Sequence, residues 1–168
     1  MPQRIRMKSI TFLLLGTNLG DQKKNLTVAR NAIELSVGPI LNASSLYQTR
    51  AWGKTNQPDF LNQAIQVETS WQPGQVLERI LNEEQTMGRI RGEKWSERII
   101  DIDILLYGNE IVNSASLIIP HPQLPIRRFA LVPLAEIAGQ VVHPVLGLTI
   151  IELLEQCTDP LEVQKVTT

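Results

Sequence analysis

Asp101 and Asp103 are separated by one residue in Arg98-Ile-Ile-Asp-Ile-Asp-Ile-Leu-Leu. If this segment is a strand, Ile100, Ile102 and Ile104 line one face and both carboxylates leave the other, roughly 7 Å apart. Carboxylates that close repel unless a cation lies by them, and aspartate is in any case disfavoured in strands. Magnesium resolves both difficulties, as a hard ion that takes one or two carboxylates plus phosphate oxygens and water. The alternative is an edge strand whose outer face is solvated. The residues just upstream weigh against it: Arg89, Arg91, Lys94 and Arg98 lie within ten residues, broken by Glu93 and Glu97. Such a run is commonly a solvated loop. Leading straight into Asp-x-Asp, however, it brings guanidinium forks that bind phosphate oxygens in pairs beside a metal site. The two halves together suit a polyphosphate.

Other side chains belong to the same picture. Trp95, inside the cationic loop, either stacks on a flat ring or anchors the loop to the body. His121 is held extended between Pro120 and Pro122, and Arg127-Arg128 follow as a second basic group; the alternative is a structural histidine. Phe60 and Asn62 would share one strand face, an aromatic plane beside an amide with donor and acceptor edges. That pair suits a flat, hydrogen-bonding heterocycle, or else forms a second packing face. Several chemistries are excluded, because the chain has no Gly-x-x-x-x-Gly-Lys loop, no Gly-x-Gly-x-x-Gly, no Gly-x-Ser-x-Gly and no His-Glu-x-x-His. Cys157 has no nearby histidine and reads as structural.

The elements that must position these residues follow from periodicity and turn signals. Ile10 to Leu15 is a buried strand closed by Gly16. Gly20-Asp21 opens a helix with Leu26, Ala29, Ile33 and Val37 in one stripe, stopped by Gly38-Pro39. Ile40 to Thr49 reads as a second strand, leading into a loop from Arg50 to Asp59 that holds Trp52. Phe60 to Thr69 is the third, with Leu61, Ile65 and Val67 on the face opposite Phe60 and Asn62. Pro73 starts a helix through Val76, Leu77, Ile80, Leu81 and Met87, ended by Gly88. Arg98 to Tyr107 is the fourth strand, and Gly108-Asn109 is a hairpin signal ahead of Glu110 to Val112. Arg128 to Ala138 reads as a helix, and Thr149-Ile-Ile-Glu152 is a capping box opening the last one. Strand, helix, strand, strand, helix, strand is the split βαβ order of a ferredoxin-like α+β sandwich. The hairpin and the C-terminal third are additions to it.

The chain has 168 residues, which predicts a single domain over 1–168 with its core at about 10–155. A net charge of −1 argues against a broadly basic nucleic-acid binder. The 43% hydrophobic content excludes disorder, and one cysteine excludes a disulfide framework. No apolar run approaches the roughly 20 residues of a membrane span, and the N-terminal apolar run is short for a signal peptide. The expectation is a cytoplasmic protein with small-molecule partners. The competing reading is a binding module for single-stranded RNA that stacks bases on sheet aromatics. An aromatic content of 5% and an acidic pair on the sheet speak against it.

Taken in order, six segments resemble the 6-hydroxymethyl-7,8-dihydropterin pyrophosphokinase family of folate biosynthesis. They are Gly16-Thr-Asn-Leu-Gly-Asp21, Tyr47-Gln-Thr49, Gln57-Pro-Asp-Phe-Leu-Asn62, Gly88-Arg89, Trp95 with Arg98-x-x-Asp-x-Asp103, and Pro120-His121 with Arg128-Phe129. The likeness runs from Leu14 to about Leu154. It implies the ferredoxin-like fold, ATP as co-substrate, and transfer of a pyrophosphoryl group to the pterin's hydroxymethyl oxygen with AMP as the other product. It also implies two magnesium ions on Asp101 and Asp103, with Arg89 and Arg98 as further catalytic residues. Glu84, Arg91, Trp95, Arg98, His121 and Arg127 match nucleotide-binding positions. Thr49, Phe60, Asn62, Trp95, Phe129 and the backbone around Arg50 and Trp52 match the pterin pocket, with the ring between Phe60 and Phe129. A monomer or weak oligomer is expected. The chain departs from the family pattern at Thr17, Arg50-Ala51, Ser96 and Ser116, and none of these departures removes a metal ligand.

Overall fold

The computed structural model describes residues 7–50, 58–88 and 98–167. The apolar run at the start forms β1 (Ser9–Thr17), buried on both faces. Asp21 caps α1 (Gln22–Ser36), its side chain accepting from Lys24 N–H. Leu26, Ala29 and Ile33 face inward, as their spacing requires. The predicted strand from Ile40 to Thr49 is two: β2 (Ile40–Ala43) and β3 (Tyr47–Thr49). Ser44 makes the break. Its hydroxyl accepts from Ala64 N–H at 3.0 Å, replacing a ladder bond by a side chain.

β4 (Phe60–Thr69) matches its sequence boundaries. Pro73 is the first residue of α2 (Pro73–Thr86), and Gln75 Oε1 reaches back to accept from Gln72 N–H at 2.9 Å. β5 (Asp101–Tyr107) starts later than predicted, because the backbone of Arg98 bonds to Asn18 instead of a strand ladder. Gly108, at φ +51°, makes the expected turn. The strand after it does not fold back on β5, however. β6 (Val112–Asn113) pairs with β7 (Ile118–Ile119) through a turn in which Ser114 bonds Leu117. A short 3-10 turn at Leu124–Ile126 precedes α3 (Arg128–Ala138), then α4 (Ile150–Gln156) and β8 (Val163–Lys165). The capping box of Thr149 and Glu152 is present. β8 carries too few apolar residues to announce itself in the sequence.

The main sheet is antiparallel in the order β5-β1-β4-β3-β8, with β2 also on β4. Alternation sorts its side chains into two cores. Leu13, Leu15, Ile65, Val67, Ile102 and Ile104 pack with Ile33 and Ile80 under α1 and α2. Phe12, Leu14, Ala64 and Leu105 pack with Leu131, Leu134, Ile150 and Leu153 under α3 and α4. Helices therefore cover both faces, and the C-terminal third supplies one entire layer. Cys157 caps α4 and is buried in that second core.

Candidate active site

Strand register decides what meets at one end of the sheet. Gly16 of β1 lies opposite Asn62 of β4 on one side and Asp101 of β5 on the other. One step along, Leu14 lies between Ala64 and Asp103. Because side chains alternate, Phe60 and Asn62 share a face with Asp101 and Asp103, and it is the face roofed by α3. Near the first turn of α3 the roof leaves a cleft of about 550 Å³, open mouth included. Leu14, Gly16, Thr49, Arg50, Phe60, Asn62, Arg98, Asp101, Asp103, Arg127 and Phe129 line it.

One half of this cleft presents the rings of Phe60 and Phe129 with the Asn62 amide, bordered by Thr49 and Arg50. Asn62 is buried and donates through Nδ2 to Thr49 Oγ1 at 3.1 Å, which fixes the direction of its amide. The other half is ionic. Arg98 Nη1 donates to Asp101 Oδ2 at 2.8 Å. Asp103 is pushed up to about 7, first by burial and then by the charge on Asp101, with Arg127 and Arg98 pulling the other way. Burial lowers the guanidinium of Arg127, whose charge the two aspartates support. Arg127 also lies 5.5 Å from the ring centroid of Phe129. Of the second basic group, only Arg127 reaches the cleft. Arg128 turns toward the C-terminal tail, donating to the carbonyls of Asp159 and Cys157.

A second cleft opens on the outer edge of β5. Leu77, Ile102, Asp103, Ile104, Ser116, Leu117, Ile118, His121 and Pro122 are among its walls. His121 lies here and does not line the first cleft. It is pushed down to about 4 by burial and by Arg127, and Nδ1 of the neutral ring accepts from Gln123 N–H. Asp103 lines both clefts. Glu84 lines neither: its buried carboxylate accepts from Ile102 N–H at 3.0 Å, holding the free edge of β5. Arg89, Arg91, Trp95 and Trp52 lie outside the described residues.

Sequence reasoning passed over most of the second cleft. Leu77 and Ile104 read as core residues, and Leu117 and Ile118 carry no chemical signal. They become walls only because the β6–β7 hairpin stands beside β5. Chemically, the arrangement can hold a flat, hydrogen-bonding ring in one cleft and a second ring against Leu77, Ile104 and Leu117 in the other, with cations and carboxylates between them. Among the described residues no group of three or more His, Cys, Asp or Glu is placed to hold a metal. Asp101 and Asp103 could share a cation whose remaining ligands come from a bound molecule and water. No helix among the described residues is long and apolar enough to cross a membrane.

Comparison with known proteins shows the family. Residues 12–139 match the model of the 7,8-dihydro-6-hydroxymethylpterin-pyrophosphokinase (HPPK) family. The 2-amino-4-hydroxy-6-hydroxymethyldihydropteridine pyrophosphokinase of Synechocystis is 44% identical over 147 residues, 86% of this chain and 75% of that protein. The Haemophilus influenzae protein of the same name is 39% identical over 149 residues, 88% of this chain and 92% of its own. Among solved structures, a Plasmodium falciparum HPPK-DHPS shares the fold with a TM-score of 0.75 at 18% identity. That match covers 92% of this chain, which spans only 46% of the Plasmodium chain. The chain, with its mixed α/β architecture, thus falls among the pyrophosphokinases, a class of transferase. Within it, the chain belongs to the 7,8-dihydro-6-hydroxymethylpterin-pyrophosphokinase family.

Proposed function

We propose that the protein transfers the pyrophosphoryl group of ATP to the hydroxymethyl oxygen of 6-hydroxymethyl-7,8-dihydropterin, releasing AMP, a step of folate biosynthesis. The observation that carries this reading is Asp103 on the wall common to two clefts. The pterin lies in the first, between Phe60 and Phe129, with Asn62 reading its edge and Thr49 and Arg50 bordering it. The adenine end of the nucleotide lies in the second, against Leu77, Ile104, Leu117 and His121. A triphosphate joining the two crosses the aspartates and the guanidiniums of Arg98 and Arg127. The family resemblance assigns Arg89 and Arg91 a phosphate role and Trp95 and Trp52 a pterin role, and Glu84 supports the nucleotide indirectly by holding β5.

The chain's own groups act by position and charge. The pterin hydroxyl oxygen bonds to the β-phosphorus as its proton is released to solvent. The bond from that phosphorus to the oxygen shared with the α-phosphate breaks, and its electrons leave with AMP. Arg98 and Arg127 offset charge on the transferred group and the leaving phosphate. The donors suit Mg²⁺, of which the resemblance implies two ions: hard oxygen donors share one strand face, and burial and then the charge of Asp101 push Asp103 up, a penalty that a divalent cation removes. Asp101 and Asp103 would hold them, and bound magnesium would neutralise and align the nucleotide's phosphate oxygens. We read the frame as a ferredoxin-like split βαβ unit forming one domain, acting as a monomer or weak oligomer on small molecules and not on nucleic acid.

Asp101→Ala and Asp103→Ala test the reading, with magnesium-dependent AMP release from ATP measured in the presence of the pterin. Each variant is expected to lose well over tenfold in kcat. A variant within tenfold of the parent, roughly 1.4 kcal/mol of barrier, removes that carboxylate from the metal site. A parent that releases no AMP overturns the function.

A further inference from the structure

The turn from β1 to α1 carries an amide that the site chemistry leaves unexplained. Asn18 is 1% exposed. Its Oδ1 accepts from Arg98 N–H at 2.7 Å, and its Nδ2 donates to the carbonyl of Pro58 at 3.2 Å. Its own N–H donates to the carbonyl of Arg98 at 3.0 Å. Beside it, Thr17 Oγ1 donates to the same Arg98 carbonyl at 3.4 Å, and Gln22 Nε2 donates to the carbonyl of Asp59 at 2.8 Å. Two segments forty residues apart are therefore tied to one turn.

Both tied segments lead into the cleft. Arg98 carries the guanidinium that bonds Asp101, and Pro58-Asp59 run directly into Phe60 and Asn62. Neither Pro58 nor Arg98 belongs to a strand, so their backbone groups need partners from elsewhere. An asparagine amide is suited to this, since it offers an acceptor to one segment and a donor to the other at the same time. An aspartate of the same shape keeps the acceptor and loses the donor. An alanine keeps neither.

We propose that Asn18 is a positioning residue of the transfer reaction, setting Arg98 against the acidic pair and the start of β4 beside the ring from a single turn. The inference rests on the pyrophosphoryl-transfer reading of the cleft. Displacements well under the size of an atom at a reacting centre lower rates by large factors, so an amide touching neither substrate still controls turnover.

The test compares Asn18→Ala and Asn18→Asp with the parent in two ways. Amide hydrogen exchange at Arg98 and at 59–60 needs no substrate. Steady-state kinetics give kcat and the KM of each substrate per folded enzyme. Asn18→Ala is expected to exchange faster at both segments, to lose tenfold or more in kcat, and to raise the pterin KM severalfold. Asn18→Asp is expected to keep Arg98 protected with kcat within about threefold of the parent, while the pterin KM still rises. Parent-like protection at both segments in Asn18→Ala overturns the inference, as do kinetic losses of equal size in the two variants. Faster exchange with unchanged kcat and KM overturns it too, leaving a purely structural bond. An inactive parent would overturn the functional reading and this inference together, whereas an active parent with an unaffected Asn18→Ala overturns the inference alone.

Discussion

Gly16 stands between Asn62 and Asp101 in a row that crosses three strands, and its missing side chain shapes the cleft. A Cβ built there would lie 2.6 Å from Asn62 Oδ1 and 3.9 Å from the Phe60 ring. Asn62 cannot simply swing aside, because it is buried and its Nδ2 is bonded to Thr49. Gly16→Ala should therefore push the amide off its line and fill space that the ring needs, at a cost of about 1–3 kcal/mol. We expect pterin affinity to fall about tenfold or more by titration calorimetry, with nucleotide affinity little changed. Equal losses for both ligands would separate Gly16 from the flat half of the cleft. At this scale the sequence was readable where chemistry is local: the spacing of Asp101 and Asp103, and of Phe60 and Asn62, placed each pair on a common face. It could not reveal that Gly16 joins the pairs, since that depends on which strands become neighbours.

Among the elements, β3 and α3 are joined by a polar brace. Glu136 on α3 accepts from Tyr47 Oη at 2.6 Å and from Ser45 N–H at 2.5 Å, with Lys165 of β8 4.0 Å away. Burial, the hydrogen bond to Glu136 and its charge push the Tyr47 phenol up to about 12. The brace fixes α3, which begins at the cleft with Arg127 and Phe129, to the strand that carries Thr49 and pairs it with Phe60. Tyr47→Phe removes one donor and keeps the ring, and should lower stability by about 0.5–1.5 kcal/mol. Urea unfolding with an unchanged slope and a lower midpoint is the expected result; an unchanged midpoint would deny the brace its weight. Helix ends such as Arg128 and Ala138, and the cap at Thr149, were legible because they depend on a few neighbouring residues. The break at Ser44 was not, because its hydroxyl bonds a residue twenty positions away.

For the molecule as a whole, both histidines serve as neutral acceptors in turns. His143 Nδ1 accepts from the N–H groups of Val145 and Leu146, and burial lowers its pKa. His121 is pushed down to about 4 from an ordinary 6.5. A histidine with a depressed folded-state value binds fewer protons folded than unfolded, so its contribution is complete above pH 6.5 and declines as pH falls toward the folded value. Asp103 acts with the opposite sign: between its ordinary 3.8 and about 7, the folded state binds more protons. A single variant isolates the histidine. His143→Asn keeps an acceptor for the turn and cannot titrate, so its loss of thermal stability from pH 7 to pH 5 should be smaller than the parent's. Parallel losses across that range in calorimetry would show that His143 does not report on pH.

From sequence alone came the family, the alternation of β1, α1, β4, α2 and β5 followed by α3 and α4, the faces shared by the aspartates and by Phe60 with Asn62, and Arg98 and Arg127 near them. Each of these depends on a local period or a short motif, and the side-chain period of a strand is set by its own backbone. Tertiary structure decided the rest. It turned Arg127 into the cleft and Arg128 away from it, gave Glu84 to the edge of β5, opened a second cleft behind Asp103, and tied Pro58 and Arg98 to Asn18. These outcomes depend on register between strands distant in the chain, and only the burial of both sheet faces at once selects that register.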